Sequence, residues 1–548
     1  MGLSILHEKY LAVSMLLGFF WVVIMFSNSS EREYSHPSSS YPVAVEETDY
    51  YIVCDAGSTG TRLYLYFMRK TNTGFSLDYH RGDKVKPGLS AFAHRHEDIS
   101  GYLKPLFDHI VSFIPKSRVP FTKVYIRATA GMRLLSREEQ ETMYDYIHSQ
   151  FPLMGFPFSL PRNHISTISG ADEAYYALLA VNYLKGHISE NLEQENEILY
   201  GALDIGGTST QIMFDPKPKG NSLRGIEGSG RYGFVERDRF FMHSFLSYGA
   251  ETMLLRTDQI VVENNLVKPS QTVEDENRTA IIVSSSDMGD GVDTDINYHP
   301  CYFSGYKVTA DGQILTGSGN AEECFMLVYG LVVDGDPQEC LQAKERCTID
   351  GVETPEIAGE FFGMSAYFYA LDCMRVFLIH TLNSEHKSFL TNQDAISALE
   401  NEWPRPSINT IKTAAEVFCS LPWEYLRDHL DGLHPVTPQH KLPHRCFDVY
   451  LLVSLLTAYG FDASATDVTF ALNINKIDIE WTIGSFLEER LFLTREEGVA
   501  YEVEELEDDD LAEELFLLVS CSFFFCCLYL YLGKSMRNAP IRGFNSAL

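Results

Sequence analysis

The first half of the chain alternates short apolar runs with turns built from Asp, Gly, Ser and Thr. Tyr50–Cys54 and Leu63–Phe67 flank DAGSTGTR (Asp55–Arg62), while Leu199–Leu203 and Ile212–Phe214 flank DIGGTSTQI (Asp204–Ile212). Runs of this kind predict buried strands, so each unit reads as strand, Asp, small-residue tip, strand. A tip without bulky side chains can turn its backbone N–H groups and hydroxyls onto an anion, and two such tips predict a polyphosphate held between two lobes. Each Asp would then end a strand beside phosphate, where a divalent cation, Mg²⁺ or Ca²⁺ reached through water, is needed to offset the repulsion. One such turn is equally well explained by hairpin geometry. The pair points to phosphate.

Between the two units, the strand Val124–Ile126 leads into ATAGMR (Ala128–Arg133), and SGADEAYYALLAVNYL (Ser169–Leu184) carries apolar residues at helical spacing. Leu103–Ile114 reads as an amphipathic helix after the KPGL loop (Lys86–Leu89), and Ser136–Phe151 as a helix opened by a Ser136/Glu139 capping box. Helical periodicity returns at Ile357–Thr381, Ile408–Phe418 and Phe447–Tyr459, whereas Val262–Asn297 is polar and reads as surface loop. The uncharged apolar runs Tyr10–Phe26 and Leu515–Leu532, roughly 17 and 18 residues, reach the length of a bilayer-spanning helix. Lys534, Arg537 and Arg542 follow the second without acid, which puts the C-terminus in the cytosol. The first is a retained anchor or a cleaved signal peptide; its length favours the anchor. The chain thus divides into a cytosolic start (1–9), a transmembrane helix (10–26), a Ser-rich linker (27–48), lobe I (49–168), lobe II (169–471), a return to lobe I (472–500), an acidic stalk (501–514), a second transmembrane helix (515–532) and a cytosolic tail (533–548).

With 548 residues, 45% hydrophobic and 13% aromatic, the chain is globular and can build two cores. A net charge of −32 argues against a nucleic-acid-binding surface, so a polyphosphate would need a locally compensated site. No GxxxxGKS loop and no zinc-finger spacing is present. Cys54, Cys301, Cys324, Cys340, Cys347, Cys373, Cys419 and Cys446 lie outside the second apolar run, and sequence alone does not fix their pairing. The Asn277-Arg278-Thr279 sequon fits a glycosylated loop outside the cytosol.

In their order along the chain, DAGSTGTR, ATAGMR, SGADEAYY and DIGGTSTQI closely resemble the apyrase signature regions of the ecto-nucleoside triphosphate diphosphohydrolase family, over nearly all of Tyr50–Arg490. The resemblance implies an α/β, actin-like (ribonuclease-H-like) two-lobed ectodomain flanked by two transmembrane helices. It implies hydrolysis of nucleoside tri- and diphosphates with Ca²⁺ or Mg²⁺, at the plasma membrane or alternatively in the Golgi or another secretory membrane. By the same resemblance, Ser58, Thr59, Gly60, Thr129, Gly206, Gly207 and Thr208 bind phosphate, Asp55 and Asp204 hold the hydrated metal, Glu173 is the general base, and Ser209 and Gln211 position the water. Arg133 is a phosphate contact or a salt bridge within its lobe, and the adjacent Asp172 and Glu173 leave the identity of the base open. MSAYFYALD (Met364–Asp372) and IEWTIG (Ile479–Gly484) match the positions of the family's base sandwich, which nominates Tyr369 and Trp481; Tyr367 and Phe368 read as well as core.

The resemblance further implies disulfides Cys301–Cys324, Cys340–Cys347 and Cys419–Cys446; Cys54, inside the first strand, reads as a buried thiol, and Cys373 has no obvious partner. Gly60 departs from the His of many cell-surface mammalian members and matches plant and Golgi-type spellings, so no preference between ATP and ADP carries over. The chemistry needs no Ser/His/Asp set, so direct attack by water is expected. The rivals are an actin-like exopolyphosphatase or sugar kinase, disfavoured by the membrane runs and the aromatic pair, and a catalytically silent membrane receptor, disfavoured by the intact carboxylates. The membrane helices could pair within one chain or in a homo-oligomer.

Overall fold

The computed structural model describes residues 49–71, 74–217, 235–266, 297–343 and 346–493. Both apolar terminal runs, the linker, the acidic stalk, the tail and the Asn277 sequon lie outside the described residues; among those described, no helix is long and apolar enough to cross a membrane.

Two five-stranded sheets repeat one plan. The first comprises β1 (Tyr50–Gly57), β2 (Gly60–Thr71), β3 (Gly74–Arg81), β4 (Lys123–Ala128) and β5 (Ile165–Thr167), in the order β3-β2-β1-β4-β5. Strands β1 to β3 are antiparallel neighbours, and β4 and β5 run parallel to β1. The second begins with β6 (Gly201–Ile205), β7 (Ser209–Phe214) and β8 (Phe241–Leu246). A small separate sheet, β9 (Asn297–His299), β10 (Lys307–Ala310) and β11 (Gln313–Gly317), intervenes before β12 (Phe361–Ser365) and β13 (Val468–Phe470). The second large sheet reads β8-β7-β6-β12-β13 with the same pattern of antiparallel and parallel neighbours. This repeated topology is an α/β arrangement of two like sheets.

Each sheet has both faces covered, which is why its central strands read as continuous apolar runs. Ile52, Cys54, Leu63 and Leu65 of the first sheet pack under the helices Ile99–Val111 and Arg137–Gln150. Tyr51, Val53, Tyr64 and Tyr66, on the opposite face, pack against helix Gly170–Leu184 and against Phe486 and Leu487 of the helical residues 481–493. Ala202, Met213, Phe362 and Met364 of the second sheet join the same cluster. Helix Gly170–Leu184 therefore lies between the sheets, and its nearly all-round apolar sequence follows from that position. The segment 477–493 is tied to the first sheet by Tyr66 Oη and Thr482 Oγ1 (2.7 Å), by Arg81 Nη1 donating to Asp478 (2.8 Å) and by the Asp478 N–H donating to Tyr79 Oη (3.2 Å).

Two expectations from periodicity are corrected. Phe361–Ser365 is not the start of a helix: it pairs in parallel with β6, from Phe361 opposite Gly201 to Ser365 opposite Ile205, and the helix runs only over Ala366–Leu382. A short run buried on both sides has no exposed face, so periodicity cannot separate strand from helix there. The stretch read as surface loop from Val262 instead begins inside helix Ala250–Leu266, and 267–296 fall outside the described residues. The three disulfides are Cys301–Cys324, Cys340–Cys347 and Cys419–Cys446, as the resemblance implied, while Cys54 and Cys373 are free and buried.

Candidate active site

The hairpin β1–β2 closes with Gly57 opposite Gly60, leaving Ser58 and Thr59 at the tip. The β6–β7 hairpin turns through Gly206, Gly207 and Thr208, with the Gly206 N–H donating to Ser209 O at 2.9 Å. The two tips touch: a Cβ on Gly207 would lie 2.3 Å from Thr59 Cγ2 and 3.1 Å from Ser58 Oγ. Only glycine fits that approach. Helix Ala250–Leu266 backs the second tip, since the N–H groups of Ala250 and Glu251 donate to the carbonyls of Gly206 and Gly207 at 2.9 Å. The third loop closes on the first tip. The Thr129 N–H donates to Ala56 O, and a Cβ at Gly131 would stand 2.7 Å from Ser58 Cα.

Glu173 and Asp172 part company at the start of helix Gly170–Leu184. Asp172 completes the capping box with Ser169 and pairs with Arg237. Glu173, one residue on and rotated about 100°, is buried and faces Arg133, Asp204 and Asp55. Its Oε2 accepts from Arg133 Nη2 and from Gln211 Nε2 (3.3 Å). Gln211 Nε2 also donates to Ser209 Oγ (2.7 Å) and Ser244 Oγ (2.9 Å), and Arg133 Nη1 donates to Ser244 Oγ (3.1 Å). Thus Glu173, Ser209 and Gln211 form one network, and Arg133 is an ion-pair partner of the carboxylate.

Burial raises the Glu173 carboxyl to about 7; Arg133 opposes the shift, and Asp204 and Asp55 add to it. Asp55 is raised to about 7, by burial and by the charges of Glu480 and Asp204 against the opposing Lys84 and Arg62. Asp204 is raised to about 6, by burial and Glu480, with Ser365 and the Ile205 amide opposing. Burial, more than mutual repulsion, raises these carboxyls, and a cation brought beside them would favour their ionised forms. The Oδ1 of Asp204 and the Oε1 of Gln211 are buried without a hydrogen-bond partner among the described residues. Both need a donor or a cation. Among the described residues no group of three or more His, Cys, Asp or Glu side chains could hold a metal ion.

Residues 43–501 match the GDA1/CD39 (nucleoside phosphatase) family. The chain belongs to this family. It is therefore a hydrolase. It is 26% identical over 471 residues to ectonucleoside triphosphate diphosphohydrolase 1 of Rattus norvegicus, covering 81% of each chain. It is 26% identical over 478 residues to the Golgi apyrase of Saccharomyces cerevisiae, covering 80% of this chain and 69% of that one. A crystal structure of nucleoside triphosphate hydrolases from Neospora caninum superposes with a TM-score of 0.52 at 15% identity, over 82% of this chain and 93% of that chain, which shows a shared fold.

In this nucleoside phosphatase the two base-sandwich candidates occupy different settings. Trp481 is 5% exposed, and its ring stacks on Tyr176 at 6.3 Å within the core between the sheets. This structure thus offers little of Trp481 to a base. Tyr367 is core, whereas Tyr369 is half-buried and faces Arg81, Arg62 and Glu480. Sequence reasoning missed Ser244, which joins the network because it pairs with Gln211 across β7–β8. It also missed Glu480, withdrawn from water beside Arg62 (3.8 Å) and Arg81 (3.4 Å). Ser365 was missed as well: it supports Asp204 from a φ of 53°, a strained value for a non-glycine residue. Glu480 and Ser365 carried a sequence signal, their places inside IEWTIG and MSAYFYALD.

Proposed function

We propose that the protein hydrolyses nucleoside tri- and diphosphates such as ATP and ADP to the monophosphate, by direct attack of a water activated by Glu173. The observation that carries this reading is the convergence of Glu173 with Gln211 and Ser209 beside two touching small-residue tips. Arg133 and Gln211 both engage Oε2, so Oε1 is the oxygen that takes the proton from water. Ser209 and Gln211 fix the water's direction, while Ser58, Thr59, Gly60 and Thr129 on one side and Gly206, Gly207 and Thr208 on the other cradle the phosphates. Asp55 and Asp204 would hold hydrated Mg²⁺ or Ca²⁺, which neutralises phosphate charge when bound. Tyr369 would take one face of the base, and Trp481 the other only if its contact with Tyr176 gives way. Phosphate release from ATP, UTP, ADP, AMP and polyphosphate, with and without excess EDTA, tests the reading. Activity on tri- and diphosphates alone, abolished by EDTA, is expected; release from polyphosphate alone would sink it.

Three disulfides suit an oxidising compartment. Together with the two terminal apolar runs, they support a catalytic unit outside the cytosol, at the plasma membrane or in the Golgi. A glycosidase-sensitive mass shift lost in Asn277→Gln would agree with that; a protein from cells that is never glycosylated would not.

A further inference from the structure

We propose that Lys84 is a substrate-binding residue of this site, the lobe I cation that pairs with the bound phosphate chain. The proposal rests on the reading of the tips as a phosphate cradle. Residues 82–85 follow β3 and are stitched to the hairpin: the Thr61 N–H donates to Val85 O at 2.8 Å and the Val85 N–H to Thr61 O at 2.9 Å. That pairing aims Lys84 at the tip, where Nζ donates to Thr59 Oγ1 at 2.7 Å. Thr59 is also the residue on which Gly207 of the other tip closes. The ammonium therefore sits where the two hairpins meet.

Gly60 is what lets it reach. A Cβ at position 60 would lie 3.0 Å from Lys84 Cε, 3.1 Å from Lys84 Cγ and 2.8 Å from Val85 O. A side chain there would push the lysine out, so the absence of one at residue 60 and the presence of a lysine at 84 form a single feature. The ammonium faces Asp55, Glu251 and Glu480, with Arg62 as the like charge nearby. Arg133 is engaged by Glu173 and Ser244, and Arg62 by Tyr64 and Glu480. Among the described residues the hydrogen-bond partner of Lys84 Nζ is a neutral hydroxyl. An ammonium has three donors, and a phosphate oxygen is a far stronger acceptor for the rest.

The test uses Lys84→Met and Lys84→Cys, the latter before and after S-aminoethylation with bromoethylamine, which rebuilds a lysine-length ammonium. Among the described residues the free cysteines Cys54 and Cys373 are buried, and wild type treated in the same way controls for reaction at Cys521, Cys526 and Cys527. Lys84→Met should lower kcat/KM for ATP, UTP and ADP about 10- to 100-fold, as expected for one lost charge-assisted contact, with an unchanged Tm. Aminoethylation should raise the activity of Lys84→Cys above its untreated level. A Lys84→Met enzyme within about twofold of wild type overturns the proposal, as does a Lys84→Cys loss that aminoethylation leaves in place. If the wild type releases phosphate from no nucleotide, the hydrolase reading fails on its own. Calorimetric binding of Mg·ATP to wild type and Lys84→Met then decides on Lys84 separately: weaker binding by the variant supports the proposal, and equal binding overturns it.

Discussion

Adjacent carboxylates in one first turn do two jobs because consecutive helical residues point in different directions. Asp172 satisfies the backbone of the helix start, and Glu173 is buried against Arg133 and Gln211. Glu173→Gln keeps size and hydrogen bonding but cannot accept a proton, so kcat should fall about 10²- to 10⁴-fold with nucleotide binding retained. Asp172→Asn should instead cost about 1 kcal/mol of stability through the weakened cap and leave kcat nearly unchanged. Steady-state kinetics and thermal melts on the two variants separate the roles; a large kcat loss in Asp172→Asn would reassign the base. Because burial holds the Glu173 carboxyl near 7, it is protonated below that pH. The kcat profile should therefore rise through neutral pH on its acid side, and that limb should vanish in Glu173→Gln.

At the scale of elements, the contact between hairpin tips is the feature most exposed to a single atom. Gly207→Ala would drive a methyl into Thr59 Cγ2, so the tips must separate. We expect kcat/KM to fall at least about tenfold, since an ångström of misplacement in a phosphoryl-transfer site is costly. Thr59→Ser removes that Cγ2 while keeping the hydroxyl, so the Gly207→Ala/Thr59→Ser double variant should recover part of the loss. Equal activity of the single and double variants would show that the tips do not meet in the working enzyme. Strand β12 ends at Ser365, opposite Ile205 at the end of the neighbouring β6, so a strained turn on one strand supports the Asp204 carboxylate of the next.

For the molecule as a whole, three carboxyls with raised folded-state values link stability to pH. Asp55, Asp204 and Glu173 titrate near 7, 6 and 7 when folded, against ordinary carboxyl values when unfolded. The folded state therefore binds more protons over the window from about 4 to about 7, and stability falls as pH rises through it. Metal-free protein should lose Tm between about pH 5 and pH 8, and Mg²⁺ or Ca²⁺ should restore more of it at the higher pH, where the carboxylates are ionised. A Tm gain from metal that is independent of pH, or larger at the acid end, would count against Asp55 and Asp204 as the metal-holding pair.

The sequence by itself determined the local units. Asp and Gly at fixed places after apolar runs specify two hairpins, Ser136 three residues before Glu139 specifies a helix start, and the ordered signature regions specify the family. These are contacts between near neighbours, which composition and spacing encode directly. Tertiary structure decided whatever depended on partners far apart in the chain. The apolar run Phe361–Ser365 became a strand because β6 and β13 flank it. Ser244 entered the site through strand register with Gln211, Lys84 through a loop bonded to Thr61, and Trp481 was drawn into the core by Tyr176. A residue's own type cannot show which distant backbone will lie against it, because that is settled only when the sheets and the helix between them have closed.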